Sequence, residues 1–442
     1  MSVSTRLSLT EQSVLRDLAG QYADYAQLPV QDEKRRLWLA LNSLQMIRPM
    51  FAIDQLPWHE LTASGELDLQ IQNPFWRGIE CGLRQTLYKW RHFPADMVLE
   101  PVLAIPKAFS DSGYGFRADE NIAFLDQANS VVGHAYHNQI KTEADLEKLH
   151  VPQIQLDPEE TYRREGEAHQ LFDGILPVRL SGVVTGFALW DRLSEWMSPE
   201  DLLYDLIDRP EFIHAVLEKF TAAALGYIDR LEELGLLDAA DPQIHCSYNY
   251  TNELPQPGFD LERPRANDCW TMGMAQIFST VSPAMHDEFE IAYVKRIFAR
   301  FGKVYYGCCE PLHDRIELIR NLPHVRKISC SPWCDVAIAA HKIGRDFVLS
   351  RKPSPAFLAT ETVDWLAIGN DLRETRRICR ETGTPLEYIL KDISTVRYQP
   401  ERLTVWNQLA AEIVTENITE NITENITENI TENTTDISGH VV

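Results

Sequence analysis

Cysteine is scarce in this chain, 8 residues in 442, and the few present gather near acids and histidines. They do not form the evenly spaced framework of a disulfide-stapled secreted scaffold, and a reducing cytoplasm is the expected compartment. Long apolar runs are missing as well. No stretch approaches the roughly 18 uninterrupted apolar residues of a membrane span, and the opening MSVSTRLSLTEQ lacks the apolar core of a secretory signal. Basic residues are few beside acidic ones, 42 Lys and Arg against 65 Asp and Glu, for a net charge of −23. Setting aside the six acids of the final segment leaves the balance strongly acidic. That excludes a surface tracking nucleic-acid phosphates, though not a local basic pocket for a small anion. A glycine-rich phosphate cradle is absent too. Gly182-Val183-Val184-Thr185-Gly186 is too short and lacks the lysine of a P-loop.

What is present is core material. Hydrophobic residues make up 44% of the chain, enough for one large α/β barrel with additions. Ser8-Leu9-Thr10-Glu11 has capping-box spacing ahead of an amphipathic helix to about Ala26. Gln31–Gln45 and Phe75–Phe93 read as further helices, Arg48–Ile53 and Met97–Ile105 as strands, and Ser110–Tyr136 as irregular. From about Leu176 apolar strand-like runs alternate with helical segments. The runs are Leu176–Leu180, Pro242–Tyr248, Val304–Tyr306, Val325–Ile328, Asp346–Leu349 and Leu386–Leu390. Such alternation predicts a parallel sheet. The expected fold is a (β/α)8 TIM barrel over 151–414, with a mainly helical N-terminal extension, 1–150, packed on it. Residues 415–442, with the repeat TENITENITENITENITENTT, read as a disordered tail.

Candidate chemistry concentrates between Val304 and Asp335, which holds four of the eight cysteines, two after each of two strand-like runs. In a barrel, strand carboxyl ends open onto one face, so residues far apart in sequence meet there. Cys308, Cys309 and Glu310 follow the first run and Cys330 and Cys334 the second; His245 and Cys246 end an earlier one. Thiolates with an imidazole or carboxylate suit zinc, and an open fourth position would let a substrate thiol bind as a thiolate. Strand neighbours point to opposite faces, so at most one of Cys308 and Cys309 should look inward unless the turn has begun. Cys308 is favoured. Arg179 and Asp191 flank the first barrel strand; the arginine could hold a carboxylate bidentately, or the two could form a structural ion pair. Trp270 could line a pocket for a flat substrate, or be core.

Several stretches carry a resemblance. LPVRLSGVVTGFALWDRL, SPEDLLYDLIDRPEFIHAVLEKF, QIFSTVSPAMHDEFEIAYVKRIF and ISCSPWCDVAIAAHKIGRDFVLSRKPSPAFL look like segments of the uroporphyrinogen decarboxylase superfamily. That superfamily also contains corrinoid-dependent methyltransferases acting on coenzyme M and similar thiols. VYYGCCEPLHDRIELI resembles the methyltransferases' His-x-Cys-Gly-Asn signature, with Tyr306-Gly307-Cys308 in place of His-x-Cys. Only Cys308 then carries over as a zinc ligand; the family's last cysteine would fall near Ile393 or Ser394, and Ser279 stands where an Asp is common. The decarboxylases' Arg-Gln-Ala-Gly-Arg-Tyr segment has no counterpart.

The resemblance implies a cytoplasmic enzyme, a methyltransferase moving a methyl group between a corrinoid or small methylated substrate and a thiol. Cys308, Glu310, Tyr306 and Tyr305 are its expected catalytic residues. Zinc would be held by Cys308, Glu310, Cys334 and His245, and substrate by Arg179, Tyr248, Asn249 and Trp270. A methyl-corrinoid would come from a partner protein, and a homodimer suits the superfamily; neither nucleic acid nor membrane is expected as a partner. A carboxy-lyase of the decarboxylase type is the alternative enzyme, and a non-catalytic corrinoid- or ligand-binding partner the alternative outside catalysis.

Overall fold

The structure, a computed structural model, describes residues 7–124, 129 and 131–416. Short apolar runs supply the strands: β1 (Met50–Ile53), β2 (Thr185–Gly186), β3 (Trp270–Gly273), β4 (Lys303–Tyr306), β5 (Val325–Cys330), β6 (Val348–Arg351) and β7 (Leu386–Leu390). They form one seven-stranded sheet in the order β1-β7-β6-β5-β4-β3-β2. Every pairing is parallel. β5, β6 and β7 are buried over nearly their whole length although each carries a charged residue, and their alternation with helical segments is what makes them visible from sequence. Helices pack outside, among them Pro210–Glu233, Val336–Ile343, Trp365–Thr382 and Glu401–Thr415. Leu217, Phe298, Ile343, Leu372 and Trp406 belong to the main apolar core.

The fold is barrel-like but departs from a closed (β/α)8 barrel. The sheet curls, yet its outer strands β1 and β2 are not paired with each other. Two expected barrel strands lie elsewhere. Val178–Ser181 pairs with Leu103–Pro106 in a separate two-stranded sheet. Gln243–Ile244 and Ser247–Tyr248 form an antiparallel hairpin. β3 falls within what reads as loop, and β1 comes from the segment expected to be a helical addition. The predicted capping box of the first helix is present, with Ser8 Oγ accepting from Glu11 N at 3.3 Å and Ser8 N donating to Glu11 Oε2 at 2.8 Å. Thr415 ends the last helix and Glu416 pairs with Arg373 at 2.9 Å. The repeat beyond, expected to be disordered, lies outside the described residues.

The hairpin takes its place by charge and turn geometry. His245 and Cys246 have φ of 47° and 66°, the left-handed values that a two-residue hairpin loop needs. Asn-Gly adopts them readily; His and Cys do so at about 1–2 kcal/mol each. Behind this tip, Ser247 Oγ donates to Glu387 Oε2 at 2.8 Å and accepts from Lys327 Nζ at 2.7 Å. Lys327 and Glu387 are themselves paired at 2.7 Å with both side chains fully buried. The inner wall of the sheet thus clamps the base of the hairpin.

Candidate active site

Strands β4 and β7 bring the site together from residues 83 apart in sequence. β4 ends at Tyr306, and Gly307 turns the chain with φ of 91°. A Cβ there would meet Leu312 Cδ1 at 2.4 Å, so glycine is required twice over. Because the turn has begun, strand alternation no longer separates the next two side chains, and the sulfurs of Cys308 and Cys309 lie 3.5 Å apart. β7 ends at Leu390, and Lys391 and Asp392 follow. Lys391 Nζ donates to Cys308 Sγ at 3.2 Å and to Asp392 Oδ2 at 2.8 Å. The Cys309 thiol donates to the same Asp392 oxygen at 3.6 Å. The four side chains close a ring of two sulfurs, an ammonium and a carboxylate.

The hairpin tip delivers His245 to this ring. Its imidazole meets Tyr305 edge-on at 5.0 Å between centroids, and its Nε2 has no hydrogen-bond partner in the protein. The Cys309 thiol beside it, then His245 and Lys391, hold the Cys308 thiol far below the ordinary thiol range, against the cost of burial. Hydrogen bonding to that sulfur pushes Cys309 upward. Burial opposes the charge on Lys391, yet Cys308 and Asp392 hold its pKa above the usual lysine value. Cys246, also at the tip, is pushed by burial up to about 12. Lys352 stands on the inner wall, donating to Tyr305 Oη and, at 3.1 Å, to Ser350 Oγ; burial lowers its pKa to about 8.

Of the expected catalytic and metal-binding residues, Cys308 and His245 meet and the others serve elsewhere. Glu310 is buried behind the turn and not aimed at the sulfur. Its oxygens accept from the backbone amides of Cys308, at 2.9 Å, and Ala275, at 3.2 Å. Burial raises it to about 7. It shapes the turn, and both oxygens are taken. Cys334 accepts from Leu312 N at 3.2 Å, apart from the ring. Tyr306 faces the helices, its hydroxyl 2.7 Å from His286 Nε2. Tyr305 faces the interior, its hydroxyl donating to Ser350 Oγ at 2.7 Å.

The expected substrate-binding residues are not gathered at the ring. Arg179 is held by Asp238 at 2.9 Å and not by Asp191, which accepts from Gln276 Nε2 at 2.6 Å. Tyr248 is buried against Trp38, centroids 5.2 Å apart. Asn249 and Trp270 line a separate cavity of about 290 Å³ with Asp241 and Tyr250. Lys391, Asp392 and Lys352 were not anticipated. The signal for the first two was the one used for the cysteines, reactive side chains immediately past an apolar run.

The donor chemistry fits zinc in part. Ligand atoms of Cys308, Cys309 and Asp392 lie within 4.8 Å of one another, and no other such group is found among the described residues. Two sulfurs and a carboxylate oxygen, with the imidazole of His245 beside them, are donors zinc accepts. Against this stands Lys391, whose ammonium already occupies the cation's position between sulfur and carboxylate.

No protein-family model matches the chain, and no curated protein does. The resemblance to the uroporphyrinogen decarboxylase superfamily therefore has no family model behind it. Among solved structures, a methyltransferase from Methanosarcina mazei is similar at a TM-score of 0.49 and 12% identity, over 85% of this chain and 97% of that one. A likeness at that level says nothing of the reaction. Among the described residues no helix is long and apolar enough to cross a membrane.

Proposed function

We propose that this protein is an alkyl-transfer enzyme, a methyltransferase whose reacting centre is the Cys308 sulfur. The observation that carries this reading is the ammonium of Lys391 at 3.2 Å from that sulfur, with Cys309 at 3.5 Å. A thiolate so held is a strong nucleophile toward sp³ carbon and needs no added base. In the transfer, a sulfur lone pair forms the S–CH₃ bond while the bond from methyl to its carrier breaks, the carrier keeping the electron pair. A second thiol, having given its proton to solvent, then attacks the same methyl carbon as a thiolate; its S–CH₃ bond forms, the Cys308 S–CH₃ bond breaks, and Cys308 leaves with the electron pair as the thiolate. A methyl-corrinoid from a partner protein, or a small methylated substrate, has the required kind of carrier. Zinc, if bound by Cys308, Cys309 and Asp392, would supply Lewis-acid activation of a substrate thiol. The lysine within the ring favours the metal-free form.

The chain's own residues divide the work. Lys391 keeps Cys308 charged, His245 covers it from the interior, and Glu310 holds the Cys308 amide so that the sulfur keeps its place. The carboxy-lyase reading needs an arginine free to bind a carboxylate, and Arg179 is engaged by Asp238.

Incubation with methylcobalamin tests the proposal. The tryptic peptide Val304–Arg315 should gain one methyl group at Cys308 and lose it when a small thiol is added, with release of the methyl thioether. Unmodified peptide after exposure to methylcobalamin, a methylated amine and a methylated thiol would refute alkyl transfer.

A further inference from the structure

The second cysteine pair is not part of the Cys308 ring. Cys330 is the last residue of β5, and Cys334 follows one turn later, with Cys334 N donating to Ser331 O at 3.1 Å. Both are buried, and the two thiols, four residues apart across this turn, act on each other electrostatically. We infer that Cys334 is a peroxide-sensitive modification site and that Cys330 is its resolving partner. This stands independently of the alkyl-transfer reading.

The neighbours of Cys334 are those that stabilise a thiolate. Leu312 N donates to its sulfur at 3.2 Å, and Ser331 Oγ lies 3.7 Å away. The guanidinium of Arg351 is held beside both thiols by Ser331 O at 2.6 Å and Asp371 at 3.1 Å. Hydrogen bonding from Cys330 heads the causes that bring Cys334 to about 5, whereas Cys330 is pushed upward. One sulfur is thus the nucleophile and the other keeps its proton, which is the division of labour a resolving pair needs. Cys379, close by, lacks such donors and is raised by burial to about 12. Cys334 is the less deeply buried of the two, 8% exposed against 1% for Cys330, and its near neighbour Trp333 is exposed at the surface.

The chemistry balances with one hydroperoxide. The Cys334 thiolate attacks one peroxide oxygen; an S–O bond forms, the O–O bond breaks, and the leaving hydroxide takes a proton as water. The Cys330 sulfur then attacks the sulfenic sulfur; an S–S bond forms and the hydroxyl leaves with the Cys330 proton as a second water. Two cysteines are oxidised and one peroxide is reduced. The product reaches the first site through Leu312. A neutral disulfide sulfur accepts its N–H more weakly than a thiolate does. Leu312 also packs under Gly307, where its Cδ1 leaves no room for a Cβ.

Reduced full-length protein, treated with limiting hydrogen peroxide, blocked with N-ethylmaleimide and digested without reductant, gives the test. The tryptic peptide Ile328–Lys342 should appear with two hydrogens fewer and no maleimide, forming about tenfold faster than any oxidation of Cys379. Cys330→Ser should leave a sulfenic acid at Cys334 that dimedone traps. In a Cys308→Ser/Cys309→Ser background, where only the second pair can respond, the Leu312 amide should exchange with solvent about tenfold faster after oxidation. A peptide that keeps both thiols, or a Cys330→Ser protein without a dimedone adduct, overturns the inference. Unchanged exchange at Leu312 overturns the coupling.

Discussion

Replacing Lys391 by Met removes the ammonium that lies 3.2 Å from Cys308 Sγ while keeping most of the side chain's volume. At an effective dielectric of about 20, two unit charges at that separation attract by about 5 kcal/mol. Protein relaxation reduces this, and an opposite charge at contact moves a pKa by about 1–3 units in practice, each unit being about 1.4 kcal/mol. A second effect has the same sign. Asp392, freed of its lysine, faces Cys309 and Cys308 uncompensated and disfavours a thiolate further. The Cys308 pKa should therefore rise by at least about one unit. The assay is alkylation by iodoacetamide across a pH series, read on the peptide Val304–Arg315. The wild-type rate should persist into acid, and the variant's should fall off at higher pH. A midpoint unmoved or moved down would refute the assignment of Lys391 as one of the groups that hold the thiolate, with Cys309 and His245.

Other expectations rest on separate features. Lys327→Met leaves Glu387 buried and unpaired, which should cost about 3–5 kcal/mol in urea unfolding; a loss under about 1 kcal/mol would mean water reaches the pair. Gly307→Ala forces an L side chain to φ of 91° against Leu312 and should cost about 1–3 kcal/mol in a thermal melt. At neutral pH iodoacetamide should label Cys308 well before Cys246, whose thiol is raised to about 12; the reverse order would contradict the burial of the hairpin tip. Competition with a chelator should show tighter zinc binding in Lys391→Ala than in wild type, and equal affinities would mean that the lysine does not occupy the cation's position.

Much of the fold can be read from residues, for reasons visible in particular elements. β5 and β7 are short, largely buried runs bounded by turns, VRKISC and LEYIL, and their place in a strand–helix alternation is what predicts parallel strands. β2 spans two residues and β3 four, too short for any periodicity to register. The hairpin was hidden because His245-Cys246 is not the turn chemistry that a two-residue loop usually carries. At the site, the strand-end rule leads to Cys308, which the structure has just past the end of β4. Glu310 and Cys334 have suitable atoms in the right segment, but backbone amides had already claimed them, and a sequence does not display where its own N–H groups point. Lys391 and Asp392 are ordinary charged residues until the curl of the sheet brings the end of β7 to that of β4, with β6 and β5 between them in the strand order.

The clamp at the base of the hairpin has a consequence for how the thiolate could be adjusted. With β1 and β2 not paired to each other, no ladder closes the ring around the interior, so His245 is positioned by its anchor and by its contact with Tyr305 rather than by strand pairing. That anchor, Ser247 between Lys327 and Glu387, is only two residues behind it. The hairpin is in effect a short lever whose fulcrum is an ion pair and whose far end rests on the nucleophile. Changing the charge of Lys327 or Glu387 should therefore alter the reactivity of Cys308 as well as the stability of the fold, although neither side chain touches the sulfur.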